Sequence, residues 1–380
     1  MKNPTFILRF ALCLFVSIPV GFHAQTLPPI QAAGNDGHGH FTVNGKPFFP
    51  ILMYDVPTDA ASLKMLHEQG FNAVPVAKPE DVGNLLAAGF YGAAHPGLKP
   101  ASLDAILFGI AMDSPALNFA DKVIEQTKAD LDKVQKEYPG RPVMNAIGYW
   151  ANEPDGVKAG TLLPKEKYED LIQAIDVAAP YLYPVPYQPI SSVGDAVGKA
   201  VATTGGKKPV LPILQLFVWD AKDRYPTPAE LKCMVYISLI QGAGGIGYYS
   251  YGYVSGKTET NIAKEQPELW KAVKDINTEV GKIGRFMALA QTDTTVTLKE
   301  GAPDVEFRAM KVDGASPIGE IHAGMVLLAN KTNAAKSATI KFASKADGTL
   351  KRLDGGAAVT IQGNEAKIAL EPNQAVGLQW

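Results

Sequence analysis

Two cysteines in 380 residues, Cys13 and Cys233, leave no room for a disulfide framework. Charge is scarce as well. Charged residues make up 19% of the chain, 36 basic against 38 acidic, for a formal net charge of −2. With no basic stripe, neither nucleic acid nor an acidic polymer is expected as the main ligand. Nor is any apolar run long enough to span a bilayer. The one apolar run near the N-terminus, Phe10 to Val20, follows Lys2 and Arg9 and gives way to small and polar residues ending near Ala24. That pattern predicts a secretory signal peptide, residues 1–24, and a secreted or periplasmic mature chain with no integral membrane segment. Cys233 is then the only cysteine left, and its place in an apolar helical pattern suits core packing. Phosphate loops, dinucleotide fingerprints and zinc-ligand spacings are missing too, so no cofactor is expected. Gly242-Ala-Gly-Gly-Ile-Gly247 runs from helix into strand, the reverse of a dinucleotide site, and fits close backbone packing. Gly37-His-Gly-His40 offers two imidazoles with no third ligand nearby, and no metal site is expected there.

What the chain does have is a repeating pattern. Eight short β-branched or aromatic runs are each followed by a helix-type segment: Phe49–Asp55, Phe71–Ala77, Phe90–His95, Ile106–Asp113, Pro142–Trp150, Asp176–Tyr183, Val210–Trp219 and Gly245–Tyr251. Strand–helix alternation means parallel strands with crossover helices, and eight units predict closure into a (β/α)8 TIM barrel over residues 45–290. Ahead of it, residues 25–44 read as an aperiodic tether ending in a hairpin, with Asn44-Gly45 as its tight turn at the barrel bottom. Asp59, Pro164 and Thr227-Pro-Ala-Glu230 mark helix starts; Asn118–Tyr138 and Glu265–Leu289 read as long helices. From residue 291 to 380 the pattern changes to short alternating strands between Gly, Asn and Asp turns, which predicts a small antiparallel β-sandwich.

A TIM barrel carries its chemistry at the C-terminal ends of its strands. There the sequence places Asp55, His95, Asp113, Trp150, Asn152, Glu153, Tyr183, Gln215, Trp219, Asp220, Tyr249 and Tyr251. Aromatic faces beside carboxylates and amides at one mouth suit a sugar-binding cleft. Tyr248, by alternation, is expected in the core.

Phe41–Pro57, Leu66–Val74, Ala179–Pro186, Gln241–Tyr251 and Leu370–Trp380 together resemble secreted bacterial glycoside hydrolases with clan-A-type barrels and a β-sandwich behind them. The resemblance implies hydrolysis of O-glycosidic bonds in an oligo- or polysaccharide by two glutamates, an acid/base after strand 4 and a nucleophile after strand 7. This chain departs from that pattern. Asp113-Ser114-Pro115 puts serine where the first glutamate would match, and strand 7 ends in Gln215, Phe217, Trp219 and Asp220.

Asp113 follows an apolar strand that would raise its pKa toward acid duty, or else it caps the turn before Pro115. Glu153 sits in an Asn152-Glu153-Pro154 motif like the clan's acid/base, but after strand 5, between glycines. Asp220 either acts as base or pairs with Lys222 or Arg224 at the surface. An aspartate pair stands further apart than a glutamate pair and leaves room for water, which favours inversion. The alternative function is a barrel that binds glycan without cleaving it.

Overall fold

The computed structural model describes residues 26–111, 123–148, 165–220, 222–252, 260–312, 323–344 and 347–380. Its first three strands, β1 (Ala33–Asn35), β2 (Phe41–Val43) and β3 (Lys46–Phe48), form a small antiparallel sheet. The turn between β2 and β3 has Asn44 at φ 51° and Gly45 at φ 74°, the doubly left-handed geometry that an Asn-Gly hairpin requires. The segment expected to be a tether is therefore partly a strand, because Ala33–Asn35 pairs along β2. Ile30, Phe41 and Val43 pack into the barrel's interior core, with Phe41 5.9 Å from the ring of Phe108. The N-terminal sheet closes the bottom of the barrel as a plug.

Eight parallel strands follow: β4 (Ile51–Met53), β5 (Ala73–Val76), β6 (Tyr91–Ala94), β7 (Ile106–Ile110), β8 (Val143–Gly148), β9 (Val177–Tyr181), β10 (Ile213–Gln215) and β11 (Ile246–Tyr249). β11 pairs with β10 on one side and β4 on the other, so the barrel is closed. Leu52, Ala73, Tyr91, Met144, Val177 and Ile213 line its interior. Alternate residues on the same strands, such as Ile51, Val74, Val143, Ala178 and Leu214, face the helix layer.

The helices are α1 (Ala60–Glu68), α2 (Val82–Leu85), α3 (Val123–Glu137), α4 (Lys165–Ala174), α5 (Ser191–Thr203), α6 (Pro228–Ile240), α7 (Ile262–Glu265) and α8 (Pro267–Met287). Two of the starts follow the capping chemistry of the sequence. The Asp59 carboxylate accepts from the N–H groups of Ala61 and Ser62, and Thr227 and Glu230 form a reciprocal capping box. The long C-terminal helix of the barrel is found as α8, which opens on Pro267 at its first position, with the one-turn α7 just ahead of it. Gly244 marks the close approach of the plug to the barrel. A Cβ there would collide with the carbonyl oxygen of Gly39.

Strands β12 (Gln291–Thr292), β13 (Val296–Glu300), β14 (Val305–Lys311), β15 (Gly324–Asn330), β16 (Lys336–Phe342), β17 (Gly348–Arg352), β18 (Val359–Gln362), β19 (Glu365–Leu370) and β20 (Ala375–Gln379) make one antiparallel sheet that curls on itself. β17 is the corner: Gly348–Leu350 pair with β18, while Lys351 and Arg352 pair with β20. The facing halves enclose a core that includes Val326, Leu328, Ile340, Phe342, Ile368 and Leu378. β15 is buried on both faces. Val326 and Leu328 point into this sandwich-like core, while Met325, Leu327 and Ala329 join the barrel's helix layer beside α6. A charged cluster fastens the same junction. Lys232 lies 2.7 Å from Glu279 and 3.8 Å from Asp354, Asp354 pairs with Arg352 at 2.5 Å, and the buried Tyr236 hydroxyl donates to Glu279.

Candidate active site

The C-terminal mouth is built around aromatic rings from neighbouring strands. Register alignment puts Tyr249 beside Gln215, and Tyr54 follows from the pairing of Met53 with Tyr248. With strand alternation this sends Tyr54, Tyr181, Tyr183 and Tyr249 inward. Tyr183 is the hub. Its ring stacks on Tyr181 at 5.4 Å and on Tyr249 at 6.0 Å, and meets Phe217 at 5.0 Å and Trp219 at 5.8 Å. Tyr249 also contacts Tyr54 and Phe217, at 6.1 Å and 5.5 Å. Beyond β10 the chain bends at Phe217 and again at Trp219; Phe217 is buried under the cluster while Trp219, two residues on, is 51% exposed. Trp219 cannot swing freely, because its indole N–H donates to the Tyr183 carbonyl at 3.2 Å. Among the described residues the rings therefore form a wall along β4, β9, β10 and β11, while the interior positions of β6–β8 mix large and small side chains, Tyr91, Phe108, Ile110 and Met144 with Ala93 and Ala146.

Gln215 has a different task from the sugar contact expected of it. It is fully buried, and its amide oxygen accepts from the N–H of Val185 at 2.9 Å. Its amide N–H groups donate to the carbonyls of Val185 (2.8 Å) and Phe217 (3.1 Å). It clamps the loop after β9 to the end of β10, fixing Tyr183 in place. Tyr251 also stands apart from the cluster. Its ring lies 5.5 Å from Trp270 on α8, and burial raises the pKa of its hydroxyl. Tyr248 is core, as alternation predicts, its hydroxyl donating to Asn277 at 2.9 Å.

Asp55 is exposed at the end of β4 with φ 54°, a conformation aspartate tolerates better than most residues. His95 is exposed at the end of β6, where its carbonyl accepts from the Tyr138 hydroxyl. Asp220 is exposed too. One carboxylate oxygen accepts from the backbone N–H of Lys222 at 3.2 Å, and the other is 3.9 Å from the Lys222 ammonium. Asp113, Trp150, Asn152 and Glu153 lie outside the described residues. Tyr54, Phe217 and Asp223 belong to the mouth although sequence reasoning did not single them out. Tyr54 was findable as the inward position two residues after Leu52.

Among the described residues no group of three or more His, Cys, Asp and Glu side chains is placed to hold a metal ion. The Gly-His-Gly-His segment instead packs as a turn. Burial pushes the Asp36 carboxyl up, but hydrogen bonds from the His40 ring and the N–H groups of His38 and His40 outweigh it and hold the group below its usual range. Among the described residues, too, no helix is long and apolar enough to cross a membrane.

The architecture has clear relatives among solved structures. A glycoside hydrolase family 5 protein from Bacteroides vulgatus superposes with a TM-score of 0.59 at 10% identity, over 93% of this chain and 94% of that one. A second structure, described as a glycoside hydrolase, gives 0.60 at 9% identity over 94% and 97%. A catalytic mutant of a family 42 β-galactosidase from G. stearothermophilus gives 0.54 at 8% identity over 87% and 98%. At these identities the likeness is one of fold alone, and it runs over nearly the whole chain. No family model matches the sequence. No curated protein matches it either.

Proposed function

We propose that this protein hydrolyses glycosidic bonds in an oligo- or polysaccharide, at the C-terminal mouth of the barrel. The observation that carries the reading is the wall of interlocked rings from Tyr54 to Trp219, set in a barrel whose fold is that of glycoside hydrolases. Ring faces match the C–H faces of pyranose sugars.

Glycosidic cleavage needs one protonated and one ionised carboxyl group. Asp113, three residues beyond the apolar strand β7, is assigned the acid. Asp220, beyond β10 and exposed beside the aromatic wall, is assigned the base. Glu153 takes the acid's place if Asp113 serves its turn instead. The mature chain is assigned to the secretory route by residues 1–24, and to carbohydrate metabolism outside the cytoplasm.

On a substrate that the parent cleaves, Asp113→Asn and Asp220→Asn should each lower turnover by about a hundredfold or more. Both variants keeping near-full activity would refute the aspartate pair, and a collapse in Glu153→Gln alone would move the acid to Glu153. A second reading, glycan binding without cleavage, is favoured by Ser114 standing where related enzymes carry glutamate and by the lack of a glutamate after strand 7. Tight binding with no product from any bound glycan would establish it.

A further inference from the structure

Among the described residues only three large apolar side chains are notably exposed, and two of them, Trp219 (51%) and Tyr187 (65%), sit in the loops after β10 and β9 on one side of the mouth. Exposed aromatics normally fold down or are covered, because each leaves apolar area in water. These two are held out. The Trp219 indole N–H is tied to the Tyr183 carbonyl at 3.2 Å. The Tyr187 hydroxyl donates to Asp223, with both carboxylate oxygens within reach at 2.7 and 2.8 Å. Asp223 is itself fixed, its N–H donating to the Asp220 carbonyl at 2.9 Å. A tied ring loses little conformational entropy when a ligand settles on it, which is what a preformed stacking surface needs. The rings also connect inward, since Trp219 contacts Tyr183, which contacts Tyr181 and Tyr249 inside the barrel.

We propose that Tyr187 and Trp219 form an outer sugar-binding subsite on the β9–β10 side of the mouth. The ligand of the barrel is then a chain of several neutral sugars, long enough to run from the barrel axis to this rim. The nature of the chain follows from the charges at the rim. Asp220 and Asp223 flank Tyr187, and Lys222 is turned toward Asp220, so a uronate or sulfated chain would meet carboxylates there. Asp223 is the positioning residue, holding Tyr187 upright without touching the sugar. This proposal rests on the carbohydrate reading of the mouth and does not depend on cleavage.

The test is calorimetric binding of neutral gluco-, manno-, xylo- and galacto-oligosaccharides of two to six units, with oligogalacturonates as the acidic series. The parent should bind neutral chains more tightly as they lengthen. Tyr187→Ala and Trp219→Ala should each weaken hexasaccharide binding about three- to tenfold, and weaken disaccharides much less, since one aromatic contact contributes at that scale. Asp223→Ala should reproduce the Tyr187 loss, whereas Asp223→Asn, which still offers an acceptor, should restore most of it. An affinity that does not grow with length, a Tyr187→Ala variant that binds hexasaccharides like the parent, or a preference for the acidic series would each overturn the subsite. In that event, cleavage of any glycan leaves the hydrolase reading standing. Length-dependent binding lost in Tyr187→Ala with no cleavage supports the subsite and refutes the hydrolase. No binding of any chain, neutral or acidic, refutes both.

Discussion

Replacing Gln215 with leucine removes three hydrogen bonds and adds no new charge. The parent amide accepts once from Val185 and donates to the carbonyls of Val185 and Phe217, all inside the protein. Each such bond contributes about 1 kcal/mol net, so their loss alone comes to about 3 kcal/mol. Val185 is buried, so its N–H and C=O are left without water or partner unless the loop lifts, and each group so stranded costs about 1–3 kcal/mol. The loop therefore has a reason to move, and it carries Tyr183, the hub of the aromatic wall. Gln215→Leu is expected to lose about 3 kcal/mol or more in urea-induced unfolding, and to lose glycan binding at temperatures where it is still folded. Gln215→Glu sharpens the reasoning. It keeps the acceptor for the Val185 N–H but points a carboxylate at two carbonyl oxygens, so its folded pKa should rise above the unfolded value of about 4.3. With a raised folded pKa the penalty is absent below about pH 4 and grows as pH climbs through the folded pKa. Gln215→Glu should therefore approach parental stability at acid pH and fall away toward neutrality. A loss under 1 kcal/mol in Gln215→Leu, or a Gln215→Glu variant whose deficit does not depend on pH, would refute the clamp.

Three further outcomes are expected. Asp354, held near pKa 2 by hydrogen bonding to Arg352, contributes stability above pH 4, which solvent screening of this exposed pair limits to about 1 kcal/mol. Asp354→Asn should lose about that amount in urea-induced unfolding at pH 7, and the gap to the parent should close as pH falls toward 2. Gly244→Ala would drive its methyl group into the Gly39 carbonyl, displacing the N-terminal plug; a loss of about 1–3 kcal/mol and earlier proteolysis ahead of residue 44 should be seen. The Cys233 thiol is buried under the β-domain with its pKa pushed up to about 12, so thiol reagents should label it only at the rate of global unfolding.

The barrel was legible because its signals are local. Each strand is an apolar run closed by a turn, and some helix starts carry their own cap, as at Asp59 and Thr227. What escaped had weak local signals. β17, Gly348-Thr-Leu-Lys-Arg352, has Leu350 as its one buried side chain, and it is a strand because β18 and β20 need a partner at the corner. β1 is three residues of small and polar character whose only claim to be a strand is its neighbour β2. The mouth divides the same way. Clustering of aromatics at strand ends was visible, and alternation placed Tyr248 in the core. The partner of Gln215 lies 30 residues away in a loop, beyond the reach of any local pattern, so a buried clamp looked like an exposed amide. Tyr251 looked equivalent to Tyr249, but past the end of β11 alternation no longer governs, and its ring falls against Trp270.

Helix α6 differs from an ordinary barrel helix in having no wet side: from Leu231 to Ile240 only Lys232 is less than buried. One face leans on the barrel strands, and the opposite face is covered by Met325, Leu327 and Ala329 of β15. Such a helix is written for two partners at once. The β-domain is accordingly no detachable accessory that could be exchanged among barrels by recombination. It completes a layer that the barrel lacks, and any ancestor that acquired one part without the other would have had to rewrite this helix along with it.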